Sequence, residues 1–207
     1  MTARRARPTK AVDRRAVLVT LGCALPALSW AQSAPATSSP GPAAAEDPRR
    51  ELSLRQQEAA LLHRRVDLRG VRLLRAGQAI DVQPPVSSLL IVHIWAVECR
   101  PCIDELPILR RITESLNRMP QLKMVLVSET VELQKLNSFL SQQAANIPRV
   151  EQYQCVDERL RASLQNNAQP TTLFLDERRV VRQAFLGSLK HRRSEFVDAI
   201  SRMVRAL

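Results

Sequence analysis

Two cysteines separated by two residues are the sequence feature with the clearest chemistry. Cys99 and Cys102 stand in the segment Trp-Ala-Val-Glu-Cys-Arg-Pro-Cys. Thiols at this spacing can close a disulfide or provide half of a four-ligand zinc site. The chain also has Cys23, Cys155 and three scattered His residues, with no second pair at ligand spacing. The pattern therefore favours thiol–disulfide chemistry, with no metal site.

The position of the pair between two predicted elements gives the two thiols unequal roles. An apolar run over Leu89–Trp95 predicts a strand buried on both faces, and apolar positions at helical spacing predict a helix over 103–116. Cys99 then lies at the amino end of the helix, where free N–H groups and the helix dipole stabilise a thiolate. We expect Cys99 to be the nucleophile and Cys102, one turn later, to resolve the mixed disulfide. Pro101 suits the first turn, where its missing N–H has no cost.

The other hydrophobic patterns predict an alternation of strands and helices that ends in a hairpin. The expected strands are 66–68, 71–74, 79–82, 122–127, a segment around Tyr153, 171–175 and 180–185. The expected helices are 51–65, 131–145, 157–164 and 191–204. This order indicates an α/β domain in which a central mixed β-sheet is flanked by helices on both faces.

The first fifty residues differ in composition from the rest of the chain. A basic segment, an apolar run and small residues form the pattern of an export signal over residues 1–31. We interpret this segment as a signal peptide or as an N-terminal membrane anchor, and a Gly-Cys pair ending at Cys23 leaves lipidation open as a third form. Residues 32–50, rich in Ser, Ala and Pro, are predicted to be a flexible linker. Residues 51–207 are predicted to be the folded domain, located outside the cytoplasm.

The formal net charge of +11 does not indicate a nucleic-acid partner. The predicted export signal holds six of the 31 Lys and Arg residues and only one acidic residue, so it carries +5 of the net charge of +11. Charges of both signs are mixed along the rest of the chain. Aromatic residues make up only 3% of the sequence, so no platform for stacking bases is expected.

The cysteine segment also resembles a known signature. The thioredoxin superfamily has an active-site motif similar to Ile-Trp-Ala-Val-Glu-Cys-Arg-Pro-Cys-Ile-Asp-Glu-Leu-Pro, and the ending from Glu105 is similar to that of extracytoplasmic TlpA/ResA-like proteins. A second segment, Gln-Pro-Thr-Thr-Leu-Phe-Leu-Asp from Gln169, resembles the strand that this family opens with a cis-proline. The resemblance extends from about Val66 to the C-terminus. It implies a thioredoxin-like fold in which Pro170 is cis and lies beside the cysteine pair.

The resemblance also implies an activity, a thiol–disulfide oxidoreductase acting on exported proteins with no cofactor besides its own cysteine pair. It favours reduction, including that in cytochrome c maturation, with electrons supplied by a membrane partner protein. The residues expected to contact substrate are Trp95, Arg100, Pro101 and Gln169, of which Gln169 would present its backbone to an extended substrate peptide. The alternative is a non-catalytic module of the same fold that binds a partner in the periplasm.

Three residues depart from the family's pattern or stand outside it. Glu98 occupies the position before the first cysteine, where thioredoxins usually have Trp. Its carboxylate disfavours a Cys99 thiolate whereas Arg100 favours one, and we expect these two effects largely to cancel. The alternative is that both side chains are merely exposed and neutralise one another in part. Cys155 is predicted to be an apolar filler in a strand, with a third redox thiol or an intermolecular link as the alternatives.

His93 is the remaining candidate for a role in the chemistry. It precedes the motif's Trp by two residues, where thioredoxins have a buried acidic residue that relays a proton for the second cysteine. A neutral imidazole there can accept the proton of Cys102 before that thiol attacks. The alternative is a core histidine that is hydrogen-bonded to a neighbouring strand or helix.

Overall fold

A computed structural model describes residues 48–116 and 118–207 of the chain. The predicted export signal, and the predicted linker as far as residue 47, lie outside these residues. Within them, no helix is long and apolar enough to cross a membrane.

A mixed seven-stranded sheet forms the centre of this part of the chain. Its strands are β1 (Val71–Arg75), β2 (Gln78–Ile80), β3 (Leu89–Trp95), β4 (Leu122–Ser128), β5 (Glu151–Cys155), β6 (Thr171–Leu175) and β7 (Val181–Leu186). They are arranged in the order β2-β1-β5-β4-β3-β6-β7. The β3–β4 and β4–β5 pairs are parallel, and the other four pairs are antiparallel. The predicted α/β fold class is therefore confirmed.

Helices cover both faces of the sheet. They are α1 (Pro48–Leu61), α2 (Arg100–Leu116), α3 (Leu133–Gln142), α4 (Arg159–Leu164) and α5 (Arg193–Arg205), with a short 3₁₀ turn over Leu189–His191. Alternate residues of β3 point to opposite faces. Those on one face pack in a cluster with apolar residues of α2, α3 and α5, and those on the other pack with residues of α1 and α4.

The predicted bounds of β3 and β6 match the structure, whereas several other predictions were wrong at their ends. Residues 66–68 form no strand, although Val66 is buried and its N–H donates to the carbonyl oxygen of Arg179. Helix α3 starts at Leu133 instead of residue 131. Its start is delayed because the side-chain amide of Gln154 takes up the carbonyl oxygens of the two residues before Glu132.

Candidate active site

The cysteine pair lies where β3 leads into α2. The Cys99 and Cys102 sulfur atoms form a disulfide, with an S–S distance of 2.04 Å. Cys102 is fully buried and Cys99 is half-buried. The backbone N–H of Cys102 donates a hydrogen bond to the Cys99 sulfur at 3.3 Å. Because this sulfur faces the amino end of α2, the helix favours the thiolate of Cys99 in the reduced protein.

The second predicted motif reaches the same end of the sheet. The Gln169–Pro170 peptide bond is cis, which is the isomer that the resemblance implied. Thr171, the first residue of β6, pairs with Ile94 near the end of β3. Since β6 runs antiparallel to β3, it starts where β3 ends. The cis-proline segment and the segment leading to Cys99 therefore lie side by side.

A buried His–Glu pair joins β3 to α2. The His93 Nε2 atom is 3.4 Å from Oε1 of Glu105, and both side chains are completely inaccessible to solvent. The His93 Nδ1 atom is 2.9 Å from the hydroxyl oxygen of Thr172 on β6. The other Glu105 oxygen, Oε2, accepts hydrogen bonds from the Leu189 N–H at 2.6 Å and the Ser188 hydroxyl at 3.0 Å. His93 therefore faces α2, in the same direction as the cluster that contains Cys102.

Burial shifts the pKa values of this pair in opposite directions. It lowers the pKa of His93 to about 3, because a charged imidazole would lose its hydration. It raises the pKa of Glu105 to about 7, and the hydrogen bonds to Oε2 oppose this change. At neutral pH, His93 is therefore uncharged and Glu105 is near the middle of its titration. From the sequence, Glu105 was identified only as part of a motif, and its contact with His93 was not predicted. Its position three residues after Cys102, on the apolar side of the predicted helix, was a signal that its side chain is buried.

Comparisons with solved structures identify the fold. A Chlorobium tepidum protein, provisionally named thiol:disulfide interchange protein DsbE, is similar at a TM-score of 0.56 and 15% identity, over 69% of this chain and 99% of that one. A thioredoxin-like protein in the oxidised form gives 0.52 at 15% identity, over 70% and 97% of the two chains. StoA from Bacillus subtilis gives 0.50 at 19% identity, over 61% and 95%. The chain has a thioredoxin-like fold. No protein-family model matches the sequence, and no curated protein shows significant similarity to it.

In this thioredoxin-like fold, the charges next to Cys99 are paired with other residues. Glu98 forms an ion pair with Lys135 at 2.6 Å, and this contact holds the pKa of the Glu98 carboxyl below its usual value. Arg100 instead pairs with Asp104, one turn along α2, at 2.9 Å. The alternative that Glu98 and Arg100 neutralise one another is therefore wrong, because each side chain has a better-placed partner. The expected cancellation of their effects on the Cys99 thiolate stays a prediction.

One of the four expected substrate contacts is also placed differently. Trp95 is fully buried, with its ring 5.6 Å from that of Phe139, so the expectation that its side chain contacts substrate is wrong. It points inward because alternate residues of β3 face the α2 side of the core. The side-chain amide of Gln169 donates to Glu129, and contact of the Gln169 backbone with substrate stays a prediction. Arg100 and Pro101 are exposed, and their contact with substrate stays a prediction.

The remaining free thiol of the described residues lies away from the disulfide in the chain. Cys155 ends β5, is half-buried, and donates a hydrogen bond to the carbonyl oxygen of Asp157 at 3.0 Å. Burial raises the pKa of its thiol, which makes it a weak nucleophile. Within residues 48–116 and 118–207, no group of three or more His, Cys, Asp or Glu is arranged to hold a metal ion.

Proposed function

We propose that this protein is a thiol–disulfide oxidoreductase that acts as a reductant on exported proteins outside the cytoplasm. The observation that carries the proposal is the Cys99–Cys102 disulfide at the amino end of α2, next to the cis Gln169–Pro170 bond. A half-buried sulfur at a helix amino end and a buried sulfur one turn later are suited to sequential attack. The thioredoxin-like fold supports the same assignment.

The reaction starts from the reduced dithiol. The thiolate of Cys99 attacks one sulfur of a substrate disulfide, which forms a mixed disulfide and releases the other substrate sulfur as a thiolate. Cys102 then loses its proton and attacks the Cys99 sulfur, which releases the second substrate thiolate and closes the Cys99–Cys102 disulfide. Two electrons pass from the dithiol to the substrate, whose two thiolates take up the two protons.

The proton of Cys102 needs an acceptor because this residue is fully buried. Glu105 lies one turn further along α2, and its carboxyl group has a pKa of about 7. A general base is most effective when its pKa lies near the pH at which the protein works. His93 shares the buried site at 3.4 Å and provides a second proton-accepting atom. We assign the deprotonation of Cys102 to this pair, with the Glu105 carboxylate as the final acceptor and the uncharged His93 imidazole as the relay that passes the proton of Cys102 to it.

The direction of electron flow follows from the location and the resemblance. A reductant outside the cytoplasm must receive electrons from a membrane partner protein whose own dithiol reduces the Cys99–Cys102 disulfide. The predicted export signal over residues 1–31 supports this location, and an uncleaved segment would tether the domain to the membrane. The similarity of the cysteine motif to TlpA/ResA-like proteins supports reduction, including that of cysteines in cytochrome c maturation.

Two measurements on the full-length chain test this proposal. The reduction potential of the Cys99–Cys102 couple, equilibrated against glutathione, is expected near about −270 mV, whereas a value near about −120 mV would indicate an oxidant. In a Cys102→Ser variant, Cys99 is expected to remain trapped in a mixed disulfide with substrate. Cys155→Ser is the matched control and is expected to keep full exchange activity. A wild-type chain that exchanges with no disulfide would refute the proposal and favour a module that only binds a partner.

A further inference from the structure

Two charged residues outside the cysteine motif form a largely buried pair near the active site. Glu129 follows the end of β4 and Arg161 lies on α4, and each side chain is only 15% exposed. The Nε and Nη2 groups of Arg161 donate to the two carboxylate oxygens of Glu129. This two-point contact is the strongest geometry for such a pair, and removing either partner would leave a buried charge without compensation.

Further hydrogen bonds from this pair go to the segment just before the cis-proline. The Nη1 group of Arg161 donates to the carbonyl oxygens of Asn166 at 3.0 Å and Ala168 at 3.2 Å. The side-chain amide of Gln169 donates to the Oε2 atom of Glu129. We refer to Glu129 and Arg161 together as the loop clamp, because they hold three of the four residues over 166–169.

The loop clamp is also connected to the segment that leads to Cys99. Strands β4 and β6 are the two neighbours of β3, so the contact between Glu129 and Gln169 crosses the carboxyl end of β3. The backbone N–H of Glu129 donates to the carbonyl oxygen of Trp95 at 2.8 Å. The hydroxyl group of the next residue, Thr130, accepts the N–H of Val97 at 2.9 Å. Glu129 and Thr130, the two residues that follow β4, therefore contact both the cis-proline segment and the segment that leads to Cys99.

We propose that Glu129 and Arg161 are positioning residues that shape residues 166–169 to bind an extended segment of a protein substrate. The loop clamp engages the Gln169 side chain, whereas the N–H and carbonyl groups of the Gln169 backbone make no hydrogen bond within residues 48–116 and 118–207. These two groups are therefore free to pair with the backbone of a substrate chain, as an added strand does at a sheet edge. Pro170 has no N–H that could compete.

This inference rests on the proposed function and deepens it, because it names two residues that position the segment to which a protein substrate would bind. A polypeptide that is extended around its disulfide can use the Gln169 backbone, whereas a small disulfide has no chain to place there. Loss of the loop clamp should therefore weaken binding of protein disulfides and leave the exchange chemistry of Cys99 intact.

The test compares two substrates in the full-length chain. Insulin serves as the protein disulfide, with dithiothreitol restoring the Cys99–Cys102 dithiol, and 5,5′-dithiobis(2-nitrobenzoate) serves as the small disulfide. Arg161→Lys keeps the charge but cannot serve a carboxylate and two carbonyl groups at once, and Glu129→Gln keeps the shape but not the charge. Arg159→Lys is the matched control, because Arg159 lies on the same helix with its side chain 56% exposed.

We expect both loop-clamp variants to raise KM for insulin about tenfold, with kcat and the rate with the small disulfide within about twofold of wild type. The Arg159→Lys variant should match wild type with both substrates. Equal slowing with both substrates would indicate a general disturbance of the dithiol and would overturn the inference. Unchanged kinetics with insulin would also overturn it.

Hydrogen exchange provides a readout that does not depend on activity. The backbone amide of Ala168, which donates to the Asn166 side chain at 2.8 Å, should exchange faster in Arg161→Lys than in wild type or Arg159→Lys, because the segment loses the two carbonyl contacts that hold it. Unchanged exchange would contradict the loop clamp itself. A wild-type chain that reacts with neither disulfide, but shows the expected exchange, would refute the proposed function and leave only the structural part of the inference standing.

Discussion

Replacement of Glu105 with Gln should make the free energy of unfolding depend on pH, because in wild type the contributions of Glu105 and His93 oppose each other. Glu105 has a pKa of about 7 in the folded chain against an ordinary 4.5, and His93 has a pKa of about 3 against an ordinary 6.5. Between pH 4.5 and 6.5, the folded chain keeps a proton on Glu105 that the unfolded chain loses. Over the same range, the unfolded chain keeps a proton on His93 that the folded chain lacks. The two effects on the free energy of unfolding therefore oppose each other and largely cancel.

The signs of the two contributions decide what the variant should show. The raised pKa of Glu105 adds stability below pH 4.5 that is lost as the pH rises to about 7. The depressed pKa of His93 adds stability above pH 6.5 that is lost as the pH falls to about 3. Glu105→Gln removes the first contribution only, so the variant should gain stability with rising pH at up to about 1.4 kcal/mol per pH unit.

The size of the effect follows from the shift of about 2.5 units in the Glu105 pKa. Relative to wild type, the free energy of unfolding of Glu105→Gln should rise by about 2 kcal/mol between pH 4.5 and 6.5 and approach about 3 kcal/mol above pH 7.5. Gln retains an oxygen that can accept the Leu189 N–H and Ser188 hydroxyl bonds, so the hydrogen-bonding cost of the change is small.

Urea unfolding of the full-length chain at pH 4.5, 5.5, 6.5 and 7.5 measures this difference, in which the other ionisable groups cancel. Glu114→Gln is the matched control, because Glu114 lies on the same helix with its side chain 55% exposed. It should show no comparable rise with pH. A difference between Glu105→Gln and wild type that stays constant with pH would refute the argument that Glu105 is buried as a neutral acid. A difference that falls with pH would show that a charged Glu105 is stabilised by a protonated His93.

Two further substitutions test the site and the domain. His93→Leu should slow decay of a trapped mixed disulfide at least about tenfold in stopped-flow measurements, because it removes a proton-accepting group, and unchanged kinetics from pH 6 to 9 would contradict the relay. Glu58→Gln should lower the free energy of unfolding by about 3 kcal/mol in urea, because the Glu58 carboxylate, 8% exposed, pairs with Arg192, 13% exposed. Glu51 is exposed, so Glu51→Gln should lower the free energy of unfolding by less than about 0.5 kcal/mol. Equal decreases for the two variants would show that burial does not determine how much each ion pair contributes to stability.

The sequence by itself determined the bounds of those strands that are buried along their whole length. All seven residues of β3 are buried, and a nearly continuous apolar run, interrupted only by His93, marks both of its ends. All five residues of β6 are buried as well, and its run of Thr, Leu and Phe consists largely of residues that favour strands. Helix α3 was predicted too long at both ends, and at its amino end a side chain from β5, Gln154, binds the carbonyl groups just before the helix. A contact of that kind leaves no trace in the local periodicity.

Local spacing also determined the chemistry of the site. Two cysteines at the start of a predicted helix indicated a redox pair, and a resemblance around Gln169 led to the cis assignment of Pro170. In both cases the relevant residues are neighbours in the chain, so their spacing is visible without a fold.

Only the tertiary structure decided which distant side chains surround that pair. His93 meets Glu105 because β3 and α2 pack face to face. Glu129 meets Arg161 and Gln169 because the end of β4, helix α4 and the segment before β6 lie at the same end of the sheet. In the chain, Arg161 is 32 positions from Glu129 and Gln169 is 40 positions from it. Trp95 is turned inward for a similar reason, since the pleat of β3 assigns its face. The packing of elements that are remote in the chain sets which of these side chains are buried and which are paired. Burial and pairing in turn determine where protons and charges lie around the disulfide. The sequence alone had indicated only the position of the disulfide.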